Sequence, residues 1–173
     1  MSTVNVLVVF YSRYGRTERL ALAAGLGAIE AEGNIRLRRL PEEASSDVID
    51  ADAAWRTASD RMSRDYVAPR PADPVWADVI VLAMPPESCR EVEAYVSTLA
   101  ALGPMFDKLA APLTPGDDPT VLGPLFMATG RCGLAAVPLA PGPEELVTRA
   151  RLHGQRLVRM ARALKYAEPK TIS

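Results

Sequence analysis

The chain opens with a nearly unbroken run of apolar residues. Val4–Phe10 reads VNVLVVF, and its β-branched side chains are typical of a strand that is buried on both faces of a parallel sheet. Residues 17–32 then place apolar side chains at helical spacing, which predicts a helix that Gly33 and Asn34 end. Apolar and basic residues alternate over 35–40 and predict a second strand. This order predicts a right-handed βαβ unit.

Strand and helix alternate again in the middle of the chain, after a long polar connection. Residues 41–74 are polar and proline-bearing, and they hold a helical patch near 48–62. A second apolar run at 79–84 predicts another core strand, and apolar residues at helical spacing over 91–102 predict the helix after it. The pattern therefore predicts an α/β protein with a doubly wound parallel sheet between two helical layers.

The pattern is weaker in the last third of the chain, where 109–113 and 122–128 each read as a short strand. Gly123 and Pro124 interrupt the second candidate. Fewer than a dozen residues separate the two candidates, and a parallel crossover needs about a dozen for its helix alone. We therefore expect the C-terminal half of the sheet to be incomplete or rearranged, and the presence of a fifth strand stays open. Residues 143–166 predict a terminal helix.

Composition and charge limit the classes of function. The 173 residues fit a single domain over 1–173. A net charge of −1 gives the protein no overall electrostatic attraction to nucleic acid. No apolar run reaches the roughly 20 residues of a membrane helix, and the start lacks the layout of a signal peptide. We therefore expect a cytoplasmic protein with neither a nucleic-acid nor a membrane partner. One histidine and two cysteines, Cys89 and Cys132, argue against a zinc site and a disulfide framework.

A short loop between the first strand and the first helix carries the clearest chemistry. Unpaired backbone N–H groups and the helix dipole make such a junction a natural anion site. Gly15 lets the backbone curl inward, and Ser12 and Thr17 add hydroxyl donors. Arg13 and Arg16 add positive charge. The alternative is that Ser12 or Thr17 only caps the helix, and the residues alone leave both interpretations open. The candidate phosphate-binding residues are Ser12, Arg13, Tyr14, Gly15, Arg16 and Thr17.

Several segments, in order along the chain, resemble the tryptophan-repressor-binding-protein-like NAD(P)H:quinone oxidoreductases, a flavodoxin-like family that uses FMN. The first is LVVFYSRYGRTERLA at 7–21, where the family typically has Y-S-x-Y-G-[HN]-[IT] as its phosphate loop. WADVIVLAMP at 76–85, TLAALGPMF at 98–106 and the terminal helix at 144–165 are also similar. The resemblance implies a flavodoxin-like fold and an enzyme that passes two electrons from NAD(P)H through FMN to a quinone. It also implies a homodimer or homotetramer.

The resemblance assigns roles to three loops and one aromatic residue. Residues 12–17 would wrap the FMN phosphate, 84–90 would face the isoalloxazine ring, and a third loop at 114–117 would border the flavin. Phe106 falls where the family has a tryptophan that helps to roof the substrate site. No side chain is named as catalytic, because the flavin carries the reaction. The cofactor-binding candidates outside the phosphate loop are Pro85, Pro86, Glu87, Ser88, Cys89, Thr114, Pro115 and Gly116.

Two departures from the family pattern leave a second function open. The flavin loop, usually P-T-R-F-G-N, reads PPESCR at 85–90, and the stretch at 114–143 is much shorter than usual. The alternative is a flavodoxin-like protein that has lost FMN and acts as a non-enzymatic binding or interaction scaffold. A one-electron carrier is a third candidate, which the net charge of −1 disfavours because such flavodoxins tend to be strongly acidic. The quinone and the choice between NADH and NADPH stay open.

Overall fold

A computed structural model of the chain describes residues 3–86, 90–116 and 118–167. The strands in these ranges are β1 (Val4–Phe10), β2 (Gly33–Arg39), β3 (Val79–Ala83), β4 (Leu109–Leu113) and β5 (Ala135–Ala136). The helices are α1 (Arg16–Glu30), α2 (Ser46–Asp50), α3 (Ala53–Asp65), α4 (Ala72–Trp76), α5 (Arg90–Ala101), α6 (Pro119–Arg131) and α7 (Leu146–Tyr166). The strands form one parallel sheet in the order β2-β1-β3-β4-β5. This is the flavodoxin-like strand order, so the predicted fold class is confirmed.

Apolar side chains cover the sheet on both faces. Val4, Val6 and Val8 of β1 pack with α1 and α7, whereas Leu7 and Val9 pack with α5 and α6. These five side chains are at most 1% exposed. Because β1 lies between β2 and β3 and is covered on both faces, its sequence is apolar without alternation.

The helices α1 and α7 pack against each other backbone to backbone. A Cβ atom on Gly27 would stand 1.8 Å from the carbonyl oxygen of Arg151, and one on Gly154 would stand 2.0 Å from that of Ala24. Only a residue without a Cβ fits at these two positions. The close approach fixes the position of α1, whose first turn contains the last residues of the candidate phosphate loop.

Three helices, α2, α3 and α4, connect β2 to β3 where the sequence predicts one helical patch. Asp73 of α4 is 1% exposed and accepts hydrogen bonds from two arginines of β2. The distances are 2.7 Å from Arg38 Nε to Asp73 Oδ2 and 3.1 Å from Arg36 Nη1 to Asp73 Oδ1. The basic positions that alternate along β2 therefore fasten the connection to the sheet.

Residues 122–128 belong to helix α6, so the short strand predicted there is wrong. The buried residues of α6 are Leu122, Leu125 and Thr129, which recur at helical spacing. Pro124 lies inside this helix, and a proline in that position made the segment look interrupted rather than helical. The helix leads into β5, so a fifth strand is present, with a length of two residues.

The other predicted elements lie within a few residues of their expected bounds. The short strand at 109–113 is confirmed as β4, and the terminal helix begins at Leu146 instead of 143. In the described part of the chain, no helix is long and apolar enough to cross a membrane.

Candidate functional site

Three loops meet at the carboxyl edge of the sheet, because three neighbouring strands end at the same level. Phe10 of β1 pairs with Ala83 of β3, and Ala83 pairs with Leu113 of β4. Hydrogen bonds continue this register, from Tyr11 N to Ala83 O at 3.1 Å and from Met84 N to Leu113 O at 2.9 Å. Since adjacent strands are about 5 Å apart, the loops after β1, β3 and β4 lie side by side. The three predicted cofactor loops therefore begin at one place.

The loop after β1 has the geometry of an anion cradle. Ser12 is 1% exposed, and its Oγ accepts a hydrogen bond from Gly15 N at 3.0 Å, so its hydroxyl hydrogen remains able to donate to a ligand. Gly15 has a φ of 92° and turns the chain into α1, which begins at Arg16. As the N-cap residue, Gly15 has no side-chain acceptor, which leaves the N–H groups of the first turn to an anion. Thr17 is buried in that first turn.

Two side chains of this loop, Arg13 and Tyr14, reach the start of α3. The Arg13 guanidinium carbon lies 4.6 Å from the centre of the Trp55 ring. Tyr14 OH donates to Asp52 Oδ2 at 2.6 Å, and Asp52 Oδ1 also accepts from Trp55 N at 3.0 Å. The hydrogen bonds from Tyr14 and from backbone N–H groups lower the pKa of the Asp52 carboxyl group. The start of α3 therefore holds the tip of the loop.

A largely buried carboxylate, Glu42, holds the beginning of the loop. Glu42 Oε2 accepts a hydrogen bond from Tyr11 OH at 2.6 Å. Its other oxygen accepts from Arg39 Nη2 at 2.5 Å and from Ser59 Oγ at 2.9 Å. Trp55 Nε1 donates to the same oxygen at 3.3 Å. Burial, together with the Glu42 carboxylate, raises the pKa of Tyr11, so this phenol stays protonated and keeps donating.

A second carboxylate, Glu18, stands in the first turn of α1, where its charge would face a bound anion. Arg61 donates to both Glu18 oxygens, at 2.8 Å and 2.5 Å, and Tyr66 OH donates at 2.6 Å. The hydrogen bonds from Arg61 and Tyr66 lower the pKa of Glu18, whereas burial and the Glu18 carboxylate raise the pKa of Tyr66 to about 12. Because Arg61 neutralises the carboxylate, Glu18 repels an anion less than a lone charge would.

The loop after β4 contributes a hydroxyl group that lacks a partner. Thr114 is 2% exposed, and its Oγ1 has no hydrogen-bond partner among the described residues. A buried unpaired hydroxyl costs about 1–3 kcal/mol, so a polar ligand group beside it would remove that cost. The anion cradle and this hydroxyl fit FMN, which has a phosphate at one end and hydrogen-bonding groups along the rest of the molecule.

The remaining predicted residues divide between the site and the opposite edge of the sheet. Phe106 is 75% exposed and lies between α5 and the first residue of β4, at the amino edge. Its ring lies beside Gly133, just ahead of β5. Within a single chain, Phe106 and the three loops therefore lie at opposite edges of the sheet. Pro85 and Pro86 lie in the loop after β3, and Pro115 and Gly116 lie in the loop after β4. Pro85 and Pro115 are buried, whereas Pro86 and Gly116 are exposed. Glu87, Ser88 and Cys89 lie outside the described residues.

Sequence reasoning missed the residues that support the loop from behind. They all lie in the connection between β2 and β3, and their partners in the loop and in α1 are 31 to 48 positions away. The only sequence signal is that this polar connection also holds aromatic residues. The missed residues are Glu42, Asp52, Trp55, Arg61 and Tyr66. Within the described ranges, no group of three or more His, Cys, Asp or Glu side chains is placed to hold a metal ion.

A doubly wound sheet with an anion cradle after its first strand defines a flavodoxin-like protein. No family model matches the sequence. Over 146 residues the chain is 30% identical to NAD(P)H dehydrogenase (quinone) of Deinococcus radiodurans, and the match covers 78% of this chain and 72% of that protein. The chain therefore belongs to the NAD(P)H dehydrogenase (quinone) family, and the resemblance found in its sequence is confirmed.

Solved structures share the fold at low sequence identity. A short-chain flavodoxin associated with a non-canonical PDU bacterial microcompartment has a TM-score of 0.61 at 14% identity, over 92% of this chain and 99% of that one. NAD(P)H:quinone oxidoreductase from Methanothermobacter marburgensis has a TM-score of 0.52 at 13% identity, over 91% of this chain and 98% of that one. At these identities the likeness extends to the fold alone.

Proposed function

We propose that this protein is an FMN-dependent oxidoreductase that passes two electrons from NAD(P)H to a quinone. The proposal depends chiefly on the loop at 12–17, where buried Ser12, left-handed Gly15 and the uncapped start of α1 form a cradle for a phosphate group. Membership of a family named for NAD(P)H and quinone supports the reaction. Bound FMN would supply the redox chemistry, for which protein side chains have no equivalent.

Each part of the site has a binding or orienting task in this proposal. The Ser12 hydroxyl and the first-turn N–H groups of α1 bind the phosphate, while Thr114 Oγ1 bonds a polar group further along the ligand. The hydrogen bonds to Glu42 and Asp52 hold the loop in place before the ligand arrives, so little ordering remains to be done on binding. The ion pair with Arg61 reduces the repulsion between Glu18 and the phosphate.

The proposal extends to the assembly and location of the protein. In a homodimer or homotetramer, the exposed Phe106 of one copy would be able to contact substrate at the loops of another, since its own loops lie at the far edge of the sheet. Residues 1–173 would form one cytoplasmic domain.

The direct test compares FMN with riboflavin, which has the same ring system and no phosphate. Protein stripped of flavin is titrated with each compound, and the quenching of flavin fluorescence gives the two dissociation constants. We expect FMN to bind at least about a hundredfold more tightly, because a hydrogen bond to a charged group contributes about 1.5–3 kcal/mol and the cradle offers several. Equal affinities would remove the phosphate cradle from the proposal.

The activity is then measured on the FMN-loaded protein, with NADH or NADPH as the donor and a benzoquinone as the acceptor. We expect turnover that depends on both the flavin and the quinone. A protein that retains no FMN after desalting and shows no turnover would contradict the reductase and leave the scaffold alternative.

A further inference from the structure

An apolar groove runs along the outer flank of α5, apart from the anion cradle. Its volume is about 370 Å³. One wall is formed by Ala94 and Thr98 of α5 and by Leu102, which directly follows this helix. The facing wall is the segment at 68–74, which precedes β3.

Both walls start at the carboxyl edge of the sheet, where the three cofactor loops lie. Helix α5 begins at Arg90, directly after the loop that follows β3, and runs to the amino edge. The facing segment starts beside Val67, whose carbonyl accepts from Arg39 N at the end of β2, and it reaches the amino edge at Asp78, which bonds Asn5 N of β1. The groove therefore extends from the carboxyl edge of the sheet toward the amino edge, over about 16 Å of helix.

The charged groups of the groove are concentrated at its start. Glu43 and Glu91 line the end near the carboxyl edge, where Glu43 N lies 3.5 Å from Glu91 Oε1. Beyond them the lining is apolar apart from Thr98, Arg70 and the hydroxyl group of Tyr95. The Thr98 hydroxyl donates to the Tyr95 carbonyl of its own helix at 2.6 Å. A ligand with a polar head and an apolar chain matches this distribution.

Proline residues make the facing wall stiff. Pro69, Pro71 and Pro74 line the groove from this wall, and Pro41 lines it outside the segment at 68–74. The ring of each proline fixes its backbone φ angle. Tyr95 and Leu40, which are 8% and 4% exposed, form the base. A stiff apolar channel loses little conformational freedom when an apolar chain enters it, which favours binding.

We infer that this groove binds the isoprenoid side chain of the quinone, so that the substrate is a quinone with an isoprenoid tail. The inference rests on the proposed function for the head of the substrate: the quinone ring lies at the loops of the carboxyl edge, and its tail extends along α5. The acidic residues stay at the mouth, beside the polar head, and the tail contacts the prolines and α5.

The test uses two benzoquinones with the same dimethoxy-methyl ring, one without a tail and one with a geranyl chain, and the FMN-loaded protein. We expect the wild type to have a KM about tenfold lower for the tailed quinone, because burial of several methylene-sized groups drives binding. Ala94→Trp fills the groove and is expected to remove this preference while leaving the tailless quinone unchanged. Ala100→Trp is the matched control, because Ala100 is an exposed alanine of α5 on its other flank.

A second measurement separates failure of the groove from failure of the proposed function. Farnesol has an isoprenoid chain and no quinone, and its binding is followed by calorimetry whether or not the protein reduces quinones. Binding to the wild type and the A100W variant, with loss in the A94W variant, supports the groove even if no quinone is reduced. Absence of farnesol binding, equal KM values for the two quinones, or an unchanged tail preference in the A94W variant would overturn the inference.

Discussion

Gly15 combines two properties in the phosphate loop. Its φ of 92° lies in the left-handed region that residues with a Cβ seldom adopt, and a Cβ placed there would stand 3.2 Å from Glu18 Oε2. The contact with Glu18 matters because Arg61 and Tyr66 already hold this carboxylate by hydrogen bonds, so it has little room to move. A side chain at position 15 would therefore disturb the conformation of the loop and the ion pair beneath it.

Gly15→Ala is expected to weaken FMN binding about tenfold or more, because it alters the turn that presents the first N–H groups of α1. Gly103→Ala is the control: Gly103 has a φ of 88° but lies at the amino edge, where an added Cβ would have no atom of the described residues within 4 Å. Each variant should lose about 1–2 kcal/mol of folding stability to the left-handed backbone, as measured by urea unfolding. FMN titration should separate them, and equal FMN affinity in both variants would contradict a role for Gly15 in binding.

At the scale of elements, the packing of α1 on α7 depends on where glycine stands in each helix. Helix α1 carries Gly25 and Gly27 only two positions apart, but they face different surroundings. A Cβ on Gly27 would collide with the Arg151 backbone at 1.8 Å, whereas one on Gly25 would make an ordinary contact of 3.6 Å with Ile35 Cδ1. A backbone atom cannot rotate away as a side chain can, so the helices would have to separate.

Gly27→Ala and Gly25→Ala should therefore change the free energy of unfolding in opposite directions. We expect Gly27→Ala to lose about 3 kcal/mol through overpacking and Gly25→Ala to gain up to about 1 kcal/mol through helix propensity. Urea unfolding of the two variants beside the wild type measures both changes. Stabilisation by both substitutions would mean that α1 and α7 do not approach as closely as described.

The elements that the sequence predicted correctly are those whose pattern is local. The run at Val4–Phe10 was readable because both faces of β1 are buried, and the turn at Gly15 because strand, glycine and helix follow one another. The Glu18–Arg61 pair was not readable, since 43 positions separate the partners. The residues at 122–128 were misassigned because Pro124 lies within the helix and masks its period.

At the scale of the whole molecule, His153 links stability to pH. It lies in α7, is 2% exposed, and faces the segment after β5 that includes Leu139. Burial, with a smaller contribution from the charge of Arg156, lowers the pKa of His153 to about 4 from an ordinary value of 6.5. The native state therefore resists protonation at this residue more than the unfolded chain does.

The sign of the pH dependence follows from that difference. Above pH 6.5 the imidazole is neutral in both states and costs nothing, whereas between pH 6.5 and about 4 only the unfolded chain takes up the proton. Folding stability should therefore fall as the pH drops through this window, by about 3 kcal/mol from this residue alone.

His153→Leu should remove that part of the acid sensitivity, whatever its effect on stability at neutral pH. Carboxyl groups with lowered pKa values, such as Glu18 and Asp73, contribute less to folding stability on acidification. This loss is the same in both proteins, so it cancels in the comparison. Urea unfolding at neutral pH and near pH 4 gives the loss for each protein, and the wild type should lose more. Equal losses would mean that His153 takes up a proton in the native state about as readily as in the unfolded chain. That outcome would require a water molecule or polar group that favours the protonated imidazole, because burial and the charge of Arg156 both favour the neutral ring.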